Sequence, residues 1–116
     1  WVKAITQKGL LQVRDDLLGT CKFAGMGQKM AIAAVQVEGG LDVSLEDLLA
    51  AVRRAYLRGL AIERKQGYRR AEYTLPAQAF DDPNVNVKTP AFMTREFFRE
   101  LQQEVWKVFE PEMAAL

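Results

Sequence analysis

The chain has 116 residues, 49% of them hydrophobic and 27% charged, with 16 basic residues against 15 acidic ones and a net charge of +1. Such a balance describes one ordinary domain and supplies no overall field to steer nucleic acid or acidic lipid. Histidine is absent and Ser44 is the lone serine, which excludes Ser–His–Asp and Cys–His devices within these residues.

Cys21, the single cysteine, rules out an intramolecular disulfide and fits a reducing, cytoplasmic setting. No apolar run approaches the roughly 20 residues needed to span a bilayer. The chain begins at Trp1 rather than Met, and the expectation is a piece of a longer polypeptide.

In chain order, residues 1–13 read as a short helix broken by Gly9 and followed by an extended run. Residues 14–27 read as a loop with Gly19, Gly25 and Gly27 giving backbone freedom. Residues 28–38, rich in alanine and methionine and followed by Gly39-Gly40, predict a helix with a glycine stop. Ser44 and Asp47 form a capping-box pattern that opens a long helix. Along it Leu45, Leu48, Leu49, Val52, Tyr56 and Leu60 recur as one apolar stripe. Gly59 costs that helix roughly 1 kcal/mol relative to alanine, so a kink or a close helix contact is expected there, and the helix should stop at Gly67.

Residues 67–90, with Pro76, Pro83 and Pro90, carry no periodicity and predict a long irregular segment. Thr94 is the expected N-cap of a last helix with Phe98, Leu101, Val105 and Phe109 on one face, closed by Pro111. The fold class this predicts is mainly α, an irregular helical domain with long loops, spanning 1–116 as one unit.

The chemistry-bearing stretch is Asp16-Leu17-Leu18-Gly19-Thr20-Cys21-Lys22-Phe23. A thiolate is a soft ligand suited to iron–sulfur clusters. Glycine lets the backbone approach a bulky group, and aspartate orients N–H donors. The competing reading makes Cys21 a small buried hydrophobe beside Phe23 and Asp16 a turn former.

The stretch resembles the D-x-x-G-L-C motif of the aldehyde:ferredoxin oxidoreductase family of tungsten enzymes. Further along, Lys65-Gln66-Gly67-Tyr68-Arg69-Arg70-Ala71-Glu72-Tyr73-Thr74-Leu75-Pro76 is similar to the family pattern R-x-G-F-x-R-x-x-D-x-L-P. The closing Thr94–Trp106 stretch looks like the family's final helix. The resemblance implies the C-terminal domain of a larger catalytic subunit. Asp16 and Gly19 would contact a pterin of a tungsten (or molybdenum) bis-pyranopterin, within a cofactor-binding stretch that includes Leu18, Thr20 and Lys22. Cys21 would be the fourth ligand of a 4Fe–4S cluster.

Three departures stand out: Thr20 replaces the family's leucine, Glu63 and Lys65 replace a frequent asparagine and arginine, and the other three cluster cysteines and the first pterin motif are absent. The residues shown should therefore bind neither cluster nor tungsten alone. The implied activity is oxidation of a small aldehyde to its acid, with electrons passing to ferredoxin or an electron-transfer subunit. The implied partner is the remainder of the same subunit, with no nucleic acid and no membrane. No catalytic acid–base residue is assigned: Glu38, Asp42, Glu72, Asp81 and Asp82 read as caps and surface charges.

Two alternatives stay open. One is a relative that reduces an aromatic thioester. The other is a non-enzymatic helical module that binds phosphate or nucleic acid through Arg53, Arg54, Arg58, Arg64, Lys65, Arg69 and Arg70, with Tyr56 and Tyr68 interleaved. Against the latter, Arg53, Arg54 and Arg58 lie opposite the apolar stripe, where a solvated helix face places them. A helical scaffold that only packs on a partner is the third reading, raised by Phe92, Phe97, Phe98, Trp106 and Phe109 crowding the C-terminal third.

Overall fold

A computed structural model describes residues 1–25, 27–81 and 90–116, with Lys22 through its backbone. Among the described residues there are five α-helices: α1 (Leu10–Leu17), α2 (Gln28–Gly39), α3 (Leu45–Lys65), the four-residue α4 (Gln78–Asp81) and α5 (Arg95–Ala114). No strand occurs among the described residues, so the fold is mainly α with irregular connections, as the sequence predicts. No helix among these residues is long and apolar enough to cross a membrane. Asp82 and Pro83 lie outside the described residues.

Helix α3 is the spine. Asp47 N–H donates to Ser44 Oγ at 3.1 Å and Ser44 N–H donates to Asp47 Oδ2 at 3.0 Å, completing the expected capping box. The Ser44 hydroxyl, which donates to Asp47 Oδ2 at 2.6 Å, and then the Ser44 N–H lower the Asp47 carboxyl below its ordinary range. At the far end Gly67 has φ +98°, its N–H reaching Arg64 O while Tyr68 N–H reaches Glu63 O, each at 3.1 Å. This is a Schellman motif, and it explains why the helix stops where glycine permits left-handed backbone.

The core sits where the C-terminal part of α5 crosses α3. Leu57, Leu60, Trp106, Phe109 and Met113 form it, each at most 9% exposed. Burying a side chain of this size contributes about 1.5–3 kcal/mol. The predicted stripe is thus only partly the core: Val52 and Leu60 are buried, whereas Leu45, Leu48, Leu49 and Tyr56 are half-buried. Leu45 and Leu49 line an open groove of about 750 Å³ with Thr6, Gln7, Leu10, Glu46, Ala50 and Arg53. On α5, Phe98, Leu101 and Val105 are half-buried, and Trp106 and Met113 join Phe109 inside.

Four expectations are corrected. First, residues 1–13 contain no extended run: a π turn, Ala4–Lys8, leads into α1. Gly9 N–H bonds Ala4 O, and a Cβ on Gly9 would stand 2.6 Å from Ile5 O. Glycine here permits a close backbone approach and does not break the helix. Second, residues 14–17 belong to α1, because Leu10 and Arg14, one turn apart, are both buried. Third, Gly59 makes no close contact, since a Cβ there would meet nothing within 4 Å.

Fourth, Pro111 lies inside α5, which runs on to Ala114. Proline forfeits one hydrogen bond in the last turn, but that turn is anchored by Met113 in the core and by Glu112. Both Glu112 carboxylate oxygens accept from Arg53, at Nε and Nη2, each at 2.6 Å. Arg53 also donates from Nη1 to Thr6 O at 2.7 Å and lies over the Phe109 ring. It joins three elements, so it does not belong to the solvated face expected for it, while Arg54 and Arg58 are exposed as expected.

The connection after α3 is strapped down onto α5. Tyr73 Oη donates to Glu63 Oε2 at 2.5 Å and its ring meets Trp106 edge-on at 5.3 Å. The Glu63 bond is the main reason the Tyr73 hydroxyl is pushed up to about 12. Arg64 and Arg70 both pair with Glu110. Thr94 Oγ1 caps α5 by accepting from Phe97 N–H at 3.1 Å. Phe92, Phe97, Phe98 and Phe80 pair through ring contacts, with Trp1 meeting Phe92.

Candidate functional site

The turn between α1 and α2 brings together the residues expected to act. Helix α1 ends at Leu17, and its last turn is closed by Leu18 N–H to Arg14 O and Gly19 N–H to Asp16 O. Gly19, at φ +66°, reverses the chain. A Cβ there would meet nothing within 4 Å, so within this chain the glycine serves its dihedral angle. Thr20 then donates twice to Asp15 O, from its N–H at 2.9 Å and from its hydroxyl at 3.1 Å. The hydroxyl bond to this helix-end carbonyl is one that a leucine at this position would not make.

Cys21 follows in extended conformation (φ −73°, ψ 123°), and its carbonyl accepts from Ala24 N–H at 2.9 Å. That bond closes a 3₁₀ turn over Lys22–Ala24, which Gly25 ends at φ +64°. The thiol is therefore held between two left-handed glycines, and it is exposed. Phe23 beside it is 87% exposed and Leu17 is 56% exposed. The reading of Cys21 as a buried hydrophobe beside Phe23 is overturned, because both side chains are exposed.

The base of the turn is stiff. Arg14 is 3% exposed and donates from Nε to Asp15 Oδ1 at 2.8 Å. Asp16 is exposed in the last turn of α1. A carboxylate there faces the negative end of the helix dipole, which costs about 0.3–1 kcal/mol. Helix stability therefore does not explain an aspartate at this position.

The second pattern divides between two environments. Arg70 and Tyr73 pack against α5, whereas Tyr68 and Arg69 face solvent. Glu72 accepts from Arg69 N–H, Asp81 pairs with Arg95, and Glu38 and Asp42 are exposed, as expected for caps and surface charges.

The donor set bears directly on any metal group. Among the described residues no cluster of three or more His, Cys, Asp or Glu side chains could hold a metal ion. Cys21 offers one soft ligand where a 4Fe–4S cluster takes four. One exposed thiol could border such a group but does not make its whole seat. Missing from the sequence reading was Arg14, whose burial supports the turn; its place one helical turn beyond Leu10 was the available signal.

No family model, no curated protein and no solved structure matches this chain.

Proposed function

We propose that this chain is the C-terminal part of the catalytic subunit of a tungsten or molybdenum bis-pterin oxidoreductase of the aldehyde:ferredoxin oxidoreductase type. The observation that carries the reading is the Cys21 turn. Its aspartate, glycine and thiol follow the spacing of the family's cofactor loop, and the thiol stands exposed on a backbone fixed by Gly19 and Gly25. Asp16 and the Gly19 backbone, with Leu18, Thr20 and Lys22 in the same stretch, would border the pterin, and Cys21 would supply one cluster ligand. When bound, the group supplies two-electron oxidation of an aldehyde and water to the carboxylic acid, with the electrons leaving singly through the cluster to ferredoxin or a partner subunit. This chain's own share is orientation: it presents the thiol and keeps it from burial in its own core.

The test is elemental mass spectrometry for tungsten, molybdenum and iron on the intact protein, purified anaerobically. Iron at four or more atoms per subunit with one tungsten or molybdenum is the expected result, and Cys21→Ser should deplete the iron or shift the cluster's potential. Iron, tungsten and molybdenum all at background in undegraded protein would sink the reading.

One observation favours the rival binding module. Arg54, Arg58 and Lys65 share one exposed face of α3 without an ion-pair partner among the described residues. Salt-sensitive retention of a random oligonucleotide would support it.

A further inference from the structure

A cleft of about 300 Å³ opens where α4 and the connection after α3 lie against the first turns of α5. In its wall Phe80 of α4 and Phe98 of α5 meet edge to face, with ring centres 6.1 Å apart. Arg95 and Arg99, one turn apart on α5, line it together with Thr74 and Gln102. The cleft shares no residue with the Cys21 turn or with the groove beside Leu45, and it does not depend on the cofactor reading.

The polar side chains here have little to do inside the chain. Arg99 and the half-buried Gln102 have no hydrogen-bond or ion-pair partner among the described residues. Thr74 donates its hydroxyl to Leu75 O at 3.4 Å, longer than a good O–H···O bond. Arg95 pairs with Asp81 and lies over the Phe80 ring at 4.9 Å, which leaves the charge of Arg99 uncompensated. Like charges one turn apart cost a helix about 0.2–0.5 kcal/mol, so α5 gains no stability from setting Arg99 behind Arg95. An anion between the two guanidinium groups turns that repulsion into attraction.

We infer that this cleft binds a small phosphate monoester with a flat, apolar body. The class follows from the donors. Two guanidinium forks, a hydroxyl and a carboxamide can serve the three outer oxygens of a phosphate, whereas one fork satisfies a carboxylate. The aromatic pair gives an apolar body a wall to lie on, which inorganic phosphate would leave uncovered. Ligand sites run from about 300 to 1,000 Å³, and this cleft stands at the lower end, so the body is small.

The test titrates phenyl phosphate into the intact protein by isothermal calorimetry, beside inorganic phosphate and benzoate. Phenyl phosphate should bind saturably and more tightly than either. Arg99→Gln should weaken it at least about tenfold, through loss of a charge-assisted hydrogen bond. Arg99→Lys keeps the charge without the fork and should weaken it less, while Arg58→Gln on the exposed face of α3 should leave it unchanged. Because Arg99 is exposed and unpaired among the described residues, the variants should keep the wild-type circular dichroism. Thr74→Val, on the opposite side of the cleft, should weaken binding independently of α5. No saturable binding of phenyl phosphate at millimolar concentration would overturn the inference. So would benzoate or inorganic phosphate binding as tightly, or an Arg99→Gln titration that matches wild type or Arg58→Gln.

Discussion

Two regions of this molecule differ in what holds them. Where α5 crosses α3, Leu57, Leu60, Trp106, Phe109 and Met113 close a core, and Arg53, Arg64 and Arg70 pair with Glu112 and Glu110 across it. At the other region, from Leu17 through α2, large apolar side chains face outward, and Ala31 is the fully buried residue of α2. The crossing is fixed by side chains, whereas the turn is fixed by backbone dihedrals and carbonyl bonds. A sequence change therefore acts on fold at the first region and on surface chemistry at the second.

The largest expected effect breaks the crossing. Leu57→Ala leaves a cavity in the densest part of the core and should destabilise the chain by about 2–5 kcal/mol in denaturant titration. Gly9→Ala sets a Cβ against Ile5 O and should cost about 1–3 kcal/mol, shifting the π turn off α1. A loss for Gly9→Ala matching Leu57→Ala would mean that the N-terminal elements belong to the crossing and not to its border.

A smaller effect follows pH. Arg53's hydrogen bonds hold the Glu112 carboxyl below the ordinary carboxylate range. Stability from this pair is present above the unfolded carboxyl value and is lost as pH falls through the lowered folded value. Both side chains are partly exposed, so the pair contributes only about 0.2–1 kcal/mol. The stability difference between wild type and Glu112→Gln should shrink between about pH 5 and 3; a constant difference would place the effect elsewhere.

At the turn the sign reverses. Asp16→Asn relieves a carboxylate at the negative helix end and should raise thermal stability by about 0.3–1 kcal/mol. A loss would show that Asp16 holds the turn together, which would remove the argument that it is kept for chemistry.

Caps and stops were legible in the sequence because their chemistry is local. Ser44 with Asp47, Thr94, and the glycines after α2 and α3 act within a few residues. The chain reversal at Gly19, just before Cys21, was legible for the same reason. What was not legible depends on partners distant in sequence. The choice of Leu57 over Tyr56, or of Trp106 and Met113 over Phe98 and Leu101, follows from the point at which α5 crosses α3. The same crossing draws Arg53 inward and carries α5 past Pro111. The exposure of Cys21 reflects how α1 directs the chain at Leu18 and Gly19, which side-chain hydrophobicity does not encode.

Gly19 and Gly25 bracket Cys21 on both sides in the left-handed region, and the entropy of association feels the consequence. Fixing a residue's backbone costs about 1–2 kcal/mol, so a turn that ordered itself only on meeting its partner would lose several kcal/mol at that moment. Here Thr20, Ala24 and the two glycines set the backbone when the chain folds. Whatever meets the thiol finds the backbone beneath it already set, and the loss of that freedom has been taken up in advance by folding.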